Sequence, residues 1–185
     1  MRVLIASDGP SLLKTWPAML DFDTIAVVTV NRASDKVANP DWVVGGDRAV
    51  YPQIRTVPRV GYCAPSFVLS EMNLIAPVLN VAWEELKLPC DAYLPIECNT
   101  SIVAALALSC RLAGPNGRIE IHGADMSIED DRTQNRGRPR WEFEWGRMCD
   151  IAAARVDCDI SRVLPVAARE SAWPGSDLIP TEFIP

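Results

Sequence analysis

At 185 residues the chain fits one domain of roughly 100–200 residues, long enough to bury a core without disulfide staples. Its 49% apolar and 23% charged residues exclude a disordered or fibrous chain. The net charge of -6, with no stripe of lysine and arginine, lacks the electrostatic footprint of a duplex-binding protein; only local nucleic-acid contact stays open. The six cysteines form no C-x-x-C pair, and one histidine is too few for a Cys/His zinc site. The cysteines read as reduced thiols of a cytoplasmic protein. No charged leader with a long apolar stretch opens the sequence, and no apolar run approaches about 20 residues.

In chain order, residues 2–7 read as a short buried strand that Asp8-Gly9-Pro10-Ser11 breaks. Leu12 to Leu20 reads as a short helix with Ser11 as N-cap, and Pro17 must lie in its first turn or kink it. Thr24 to Asn31 is a second strand, apolar on both faces as in a parallel sheet covered by helices. Trp42 to Gly46 and Arg59 to Ala64 are further short strands. Leu69 to Leu86 is helical in part, interrupted by Pro77, and Ala92 to Ile96 is a strand. Ser101 to Ala113 is a helix apolar nearly all round, closed by Gly114-Pro115-Asn116-Gly117. Arg118 to Ile121 is a strand. Arg138 to Val156 is an amphipathic helix with Trp141, Trp145, Met148 and Ala152 at helical spacing, and Asp159 to Leu164 is the last strand. The alternation predicts a Rossmann-like, doubly wound α/β fold over residues 1–166, its mainly parallel sheet flanked by helices. Residues 167–185 read as a Pro-rich C-terminal tail, a strap or a loose end.

In such folds ligands bind beyond the carboxyl ends of the strands. Four segments fall there. Asp8-Gly9-Pro10-Ser11 offers a glycine for close backbone approach and a serine before helix amides that suits phosphate; an ordinary strand-to-helix turn reads the same way. Asn31 suits a ribose or base, or caps the next turn. Gly45-Gly46-Asp47 clears space beside a carboxylate, and Asp47 suits a metal ion such as Mg²⁺, a ribose hydroxyl, general-base duty, or plain capping. Asn99-Thr100-Ser101 opens a helix with small polar groups, an anion site beyond what capping alone needs. His122 and Asp125 end another strand and are candidate catalytic groups; a lone histidine is more often a satisfied structural residue than a base, and Asp125 is the better candidate. No G-x-S-x-G, Walker loop or G-x-G-x-x-G is present. The charged stretch from Glu129 to Arg140 reads as solvated surface or as a lid with phosphate-gripping arginines.

The run Ile5-Ala6-Ser7-Asp8-Gly9-Pro10-Ser11-Leu12 resembles the G-x-G-P-S-L opening of two related groups. They are the family 42 sialyltransferases, which use a cytidine-monophosphate sugar, and the archaeal 6-hydroxymethylpterin diphosphokinase (MptE-like) group. Val30-Asn31-Arg32-Ala33, the segment Pro40–Asp47, Thr100-Ser101, the segment Ile119–Met126 and Arg140-Trp141 match further motifs in the same order, from residue 5 to about 165. The resemblance implies that Asp8, Gly9, Asn31, Thr100 and Ser101 contact a nucleotide and that Asp47 and Asp125 lie near the reacting end. It implies a small glycosyltransferase-like enzyme with a nucleotide-sugar donor, or a diphosphoryl transferase. The chain departs from the pattern at Ser7 and Asp8, where glycine and asparagine or glycine are usual. No histidine follows His122 and no tyrosine follows Tyr93, where the sialyltransferases place a base and tyrosines. A non-catalytic nucleotide- or protein-binding module is therefore the rival, and a phage-type nucleic-acid-modification accessory protein is a third reading. Either ligand class is compatible with a homo-oligomer.

Overall fold

The computed structural model describes residues 1–44, 60–61, 101–126 and 137–185. Seven strands form one sheet in the order β4-β3-β2-β1-β5-β6-β7, every neighbouring pair parallel. They are β1 (Arg2–Ala6), β2 (Thr24–Val30), β3 (Trp42–Val44), β4 (Val60–Gly61), β5 (Arg118–His122), β6 (Asp159–Pro165) and β7 (Thr181–Ile184). Among the described residues there are three α-helices, α1 (Leu12–Thr15), α2 (Ser101–Ala113) and α3 (Gly137–Ala154). The chain runs outward from β1 to β4, then returns to the centre and runs out the other way through β5, β6 and β7. This reversal gives the doubly wound, Rossmann-like α/β fold, with its topological switch between β1 and β5.

The central strand β1 is apolar on both faces beyond Arg2 because both faces are covered. Alternation sends Val3 and Ile5 of β1, Val28 and Val30 of β2, Ile119 and Ile121 of β5 and Ile160 of β6 into one core, with α2 and the inner stripe of α3: Trp145, Met148, Ile151 and Ala152. Helix α2 buries all but the ends of its surface, as its uniformly apolar sequence requires. It packs on β1, β2, β3, β5 and α3. Gly114 ends it in the left-handed region at φ 66°, its N–H bonded to the Cys110 carbonyl at 3.2 Å, a conformation glycine adopts without penalty. Burial pushes the Cys110 thiol up to about 12, with Cys158 adding to it, so this cysteine behaves as a small hydrophobe. The opposite face holds a smaller cluster of Ala6, Leu12, Val27, Ala33 and Val37 beneath Trp16.

Two elements differ from the sequence-based expectation. Helix α1 stops at Thr15 rather than Leu20, because Trp16 precedes Pro17 and takes extended angles (φ -65°, ψ 129°), as a residue before proline does. Residues 167–185 are not a tail beyond the sheet: β7 pairs with β6 from Arg162↔Thr181 to Pro165↔Ile184. Four residues between Pro180 and Pro185 were too few to read as a strand. The expected elements between 62 and 100 lie outside the described residues.

What fastens β7 is Arg162, which is 1% exposed. Its guanidinium donates to Thr181 Oγ1 at 3.0 and 2.8 Å, to the Ala124 carbonyl at 3.3 Å and to the Trp173 carbonyl. It also stacks 4.6 Å from the Trp145 ring centre. Burial lowers its pKa to about 10, with the Asp125 charge opposing that fall; it stays protonated at neutral pH.

Leu106 is fully buried at the centre of α2. Leu106→Ala removes packed methyl groups from a core that collapses incompletely, and lowers the unfolding free energy by about 2–5 kcal/mol in urea or guanidinium titration.

Candidate functional site

The site is built where the loops after β1 and β5 meet. The Ser7 N–H donates to the His122 carbonyl at 2.8 Å and the Gly9 N–H to the Gly123 carbonyl at 2.9 Å, so the two loops continue the ladder past the strand ends. The Asp125 carboxylate then accepts from both the N–H (3.1 Å) and the hydroxyl (2.7 Å) of Ser11. A methyl built on Gly9 would collide with the Gly123 carbonyl and the Asp125 carboxylate, and one on Gly123 with the Ser7 carbonyl and the Leu12 side chain. Gly123, at φ 71°, also has backbone that only glycine adopts freely.

The open rim lies beside this junction, over β1, β2 and the start of α2. Asn31 leaves β2 at φ 51°, a left-handed conformation asparagine tolerates better than most residues, and begins a 3-10 turn over Asn31–Asp35. Its side-chain oxygen accepts the Ser101 hydroxyl at 3.2 Å, so groups 70 residues apart meet at the head of α2. Asp8 lies just past the end of β1, as Asn31 lies just past the end of β2, so both sit at the carboxyl end of the sheet. Asp8 pairs with Lys36, Oδ1 to Nζ 2.5 Å, with both side chains partly open to solvent. The rim thus joins a helix N-terminus, where backbone N–H groups and the helix dipole favour an anion, to an amide, a hydroxyl and one paired charge. Beneath it, the Asp41 carboxylate accepts the Val27 N–H at 3.0 Å while the Asp41 N–H donates to the Val27 carbonyl at 2.9 Å, which fixes β3 to β2.

On the α1 side of the sheet runs a buried polar line. Arg2 donates to both Glu120 oxygens at 3.0 and 2.6 Å and to Asp21, and Arg118 Nε lies 2.8 Å from Glu120 Oε1. His122, 3% exposed, has Nε2 3.6 Å from Glu120 Oε2 and Nδ1 3.2 Å from Thr15 Oγ1. Its ring meets Trp16 edge-on at 5.3 Å. Burial would raise the Glu120 carboxyl, but the His122 ring, Arg2 and Arg118 outweigh it and hold the pKa at about 2.

Among the residues expected from sequence, the structure therefore brings Asn31 and Ser101 together, with Asp8 at the same carboxyl end of the sheet and paired with Lys36. Gly9 and Ser11 differ from the expectation: the space Gly9 clears is filled by Gly123 and Asp125, and the Ser11 hydroxyl and N–H are both turned to Asp125 and 97% shielded from solvent by the fold (3% exposed). Nor does Ser11 cap α1 through its side chain. Asp125, 5% exposed, and His122 sit within this support. Asp47, Thr100, Gly45, Gly46 and Asn99 lie outside the described residues, as does the charged segment 127–136. Among the described residues no group of three or more His, Cys, Asp or Glu comes together to hold a metal ion; Mg²⁺ has no support from them. Among these residues, too, no helix is long and apolar enough to cross a membrane. Sequence reading missed Lys36, Glu120 and Arg162. Lys36 carried one signal, a lone lysine five residues beyond Asn31; an acid inside a strand and an arginine inside another read as exposed positions.

No protein-family model matches the sequence, and no curated protein matches it. A solved structure does: the sialyltransferase CstII from Campylobacter jejuni, determined in complex with a substrate analogue, CMP-3FNeuAc. The TM-score is 0.56 at 16% identity, over 99% of this chain and 88% of that one. At that identity the likeness shows the fold alone. The chain has a sialyltransferase-like, Rossmann-like α/β fold; the likeness does not extend to the diphosphokinase-like group.

Two expected outcomes follow from the support. Gly9→Ala forces the β1 and β5 loops apart and costs roughly 1–3 kcal/mol in denaturant unfolding. Glu120 takes up its proton near 4.5 in the unfolded chain but near 2 in the folded one. Its stabilising effect is therefore complete above 4.5 and lost as pH falls toward 2. Unfolding free energy followed from pH 6 to 2 drops more steeply for the wild type than for Glu120→Gln.

Proposed function

We propose that the chain is a glycosyltransferase-like transferase that seats a nucleotide-activated sugar at the rim of Asp8, Asn31 and Ser101, with Thr100, expected from the sequence, as a further contact. The observation that carries this reading is the meeting of Asn31 and Ser101 at 3.2 Å, at the carboxyl end of the sheet and the head of α2. The likeness in fold to an enzyme solved with a cytidine-monophosphate sugar analogue supports it. The amides and dipole at the head of α2 would bind donor phosphate and stabilise the charge that grows on the departing nucleotide. The Asn31 amide, held by Ser101 and by its left-handed backbone, would orient the ribose or base. Asp125, through Ser11, keeps the β1 loop in place and acts as a positioning residue. Asp47 is the candidate base or Mg²⁺ ligand.

One observation favours a second reading, a nucleotide-binding module without turnover. His122 is the single histidine of the chain, and it is buried among Thr15, Trp16 and Glu120 rather than set on the rim. Proton transfer to an acceptor by this imidazole has no open path in the described fold.

Calorimetry against CMP, CDP, UDP and ATP, with and without Mg²⁺, tests both. The transferase reading expects cytidine-nucleotide binding, weakened about tenfold by Asn31→Ala, together with release of sugar from the donor. Binding with no release under any condition selects the module, and no binding across the panel defeats both.

A further inference from the structure

The rim carries a charge that should repel its ligand. Asp8 follows β1 at the same carboxyl end of the sheet as Asn31, and a carboxylate beside a phosphate is unfavourable unless a cation intervenes. The structure supplies that cation from 28 residues away in sequence: Lys36 Nζ lies 2.5 Å from Asp8 Oδ1. Lys36 follows the 3-10 turn that Asn31 begins, and Ala33 and Val37, both buried against Ala6 and Leu12, fix the backbone on either side of it. Its position over β1 is thus set by packing, while its side chain stays over a third exposed, at 36%, and that of Asp8 at 26%. An ion pair whose side chains are partly open to water is weak, so it holds Lys36 in place without committing it. The buried Arg162 is not an alternative: its donors are taken by Thr181, Ala124 and Trp173 under the Trp145 ring.

We infer that Lys36 is the residue that receives the phosphate of the bound nucleotide, exchanging Asp8 for the ligand when the rim fills. This rests on the nucleotide-binding reading above and adds the residue that discriminates a nucleoside phosphate from a nucleoside. A lysine suits the role because its flexible stem lets a compact charge turn from one acceptor to another, and a phosphate dianion attracts it more strongly than a carboxylate does. No covalent step is involved. Asp8 then acts as a competitor that keeps Lys36 from binding weaker anions.

Binding of CMP and of cytidine to the wild type, Lys36→Met and Asp8→Asn, by calorimetry at fixed ionic strength, is decisive. The expected result is a loss of about tenfold in CMP affinity for Lys36→Met with cytidine affinity unchanged. Asp8→Asn, which frees the lysine and removes the repulsion, strengthens CMP binding about threefold. Cytidine is the internal control for folding, and melting temperatures of both variants serve as a second. CMP binding retained by Lys36→Met, or both ligands weakened alike in the folded variant, overturns the role of Lys36 while the nucleotide reading stands. A wild type that binds neither ligand removes the nucleotide reading and this inference with it.

Discussion

The backbone contact between the loops after β1 and β5 is the constraint on which the rest of the structure depends. Where a parallel sheet reverses its winding, the loops on adjacent strands leave toward opposite faces, and a cleft opens between them. Here that cleft is closed at its base by the Ser7–His122 and Gly9–Gly123 hydrogen bonds and by the Asp125 carboxylate on Ser11. The closure holds the β1 loop against the β5 loop. Asp8 on that loop pairs with Lys36 after the 3-10 turn, and Asn31, which begins the turn, reaches the head of α2. A side chain at Gly9 would undo this, and the geometry of the rim would go with it.

The two faces of the sheet are stabilised by different physics. The α2 and α3 face is a closely packed apolar core, whose energy comes from burial and dispersion. Among the described residues, the α1 face is covered by a four-residue helix, Trp16, Ala33 and Val37, and charge adds to that coverage: Arg2, Arg118, Glu120 and His122 hydrogen-bond or face one another beneath Thr15. A buried carboxylate is tolerable there because two guanidinium groups and an imidazole surround it. The only histidine of the chain is thus drawn into support, which is why its presence at a strand end did not translate into an accessible imidazole.

Much of the architecture was legible because helices and strands alternate with clear periods. The Ser101–Ala113 helix was bounded correctly by its apolar run and its glycine stop, and the first, second, fifth and sixth strands were found within a residue or two. What escaped was nonlocal. Nothing in residues 167–185 signals a strand, since β7 exists only because β6 and Arg162 offer it an edge and a donor cluster. At the candidate site, Asp8, Asn31 and Ser101 were legible as polar groups after strands or before a helix. The partner of Asp8 was not, because an ion pair between residues 8 and 36 is set by the β1–β2 register and by how Ala33 and Val37 pack. Likewise Ser11 read as a cap or phosphate ligand because its neighbours permit either, and only the approach of Asp125 from 114 residues away decides its use.

Arg162 ties three separate parts of the chain to one guanidinium: the β5 loop through Ala124, the connection through Trp173, and β7 through Thr181, all under a ring from α3. Peeling away the last strand therefore strands a cation among apolar side chains, an opening with a free-energy cost far above that of ordinary end fraying. β7 is thereby bound into the same unit as the middle of the sheet, and its amide protons are expected to exchange with solvent on the schedule of β6.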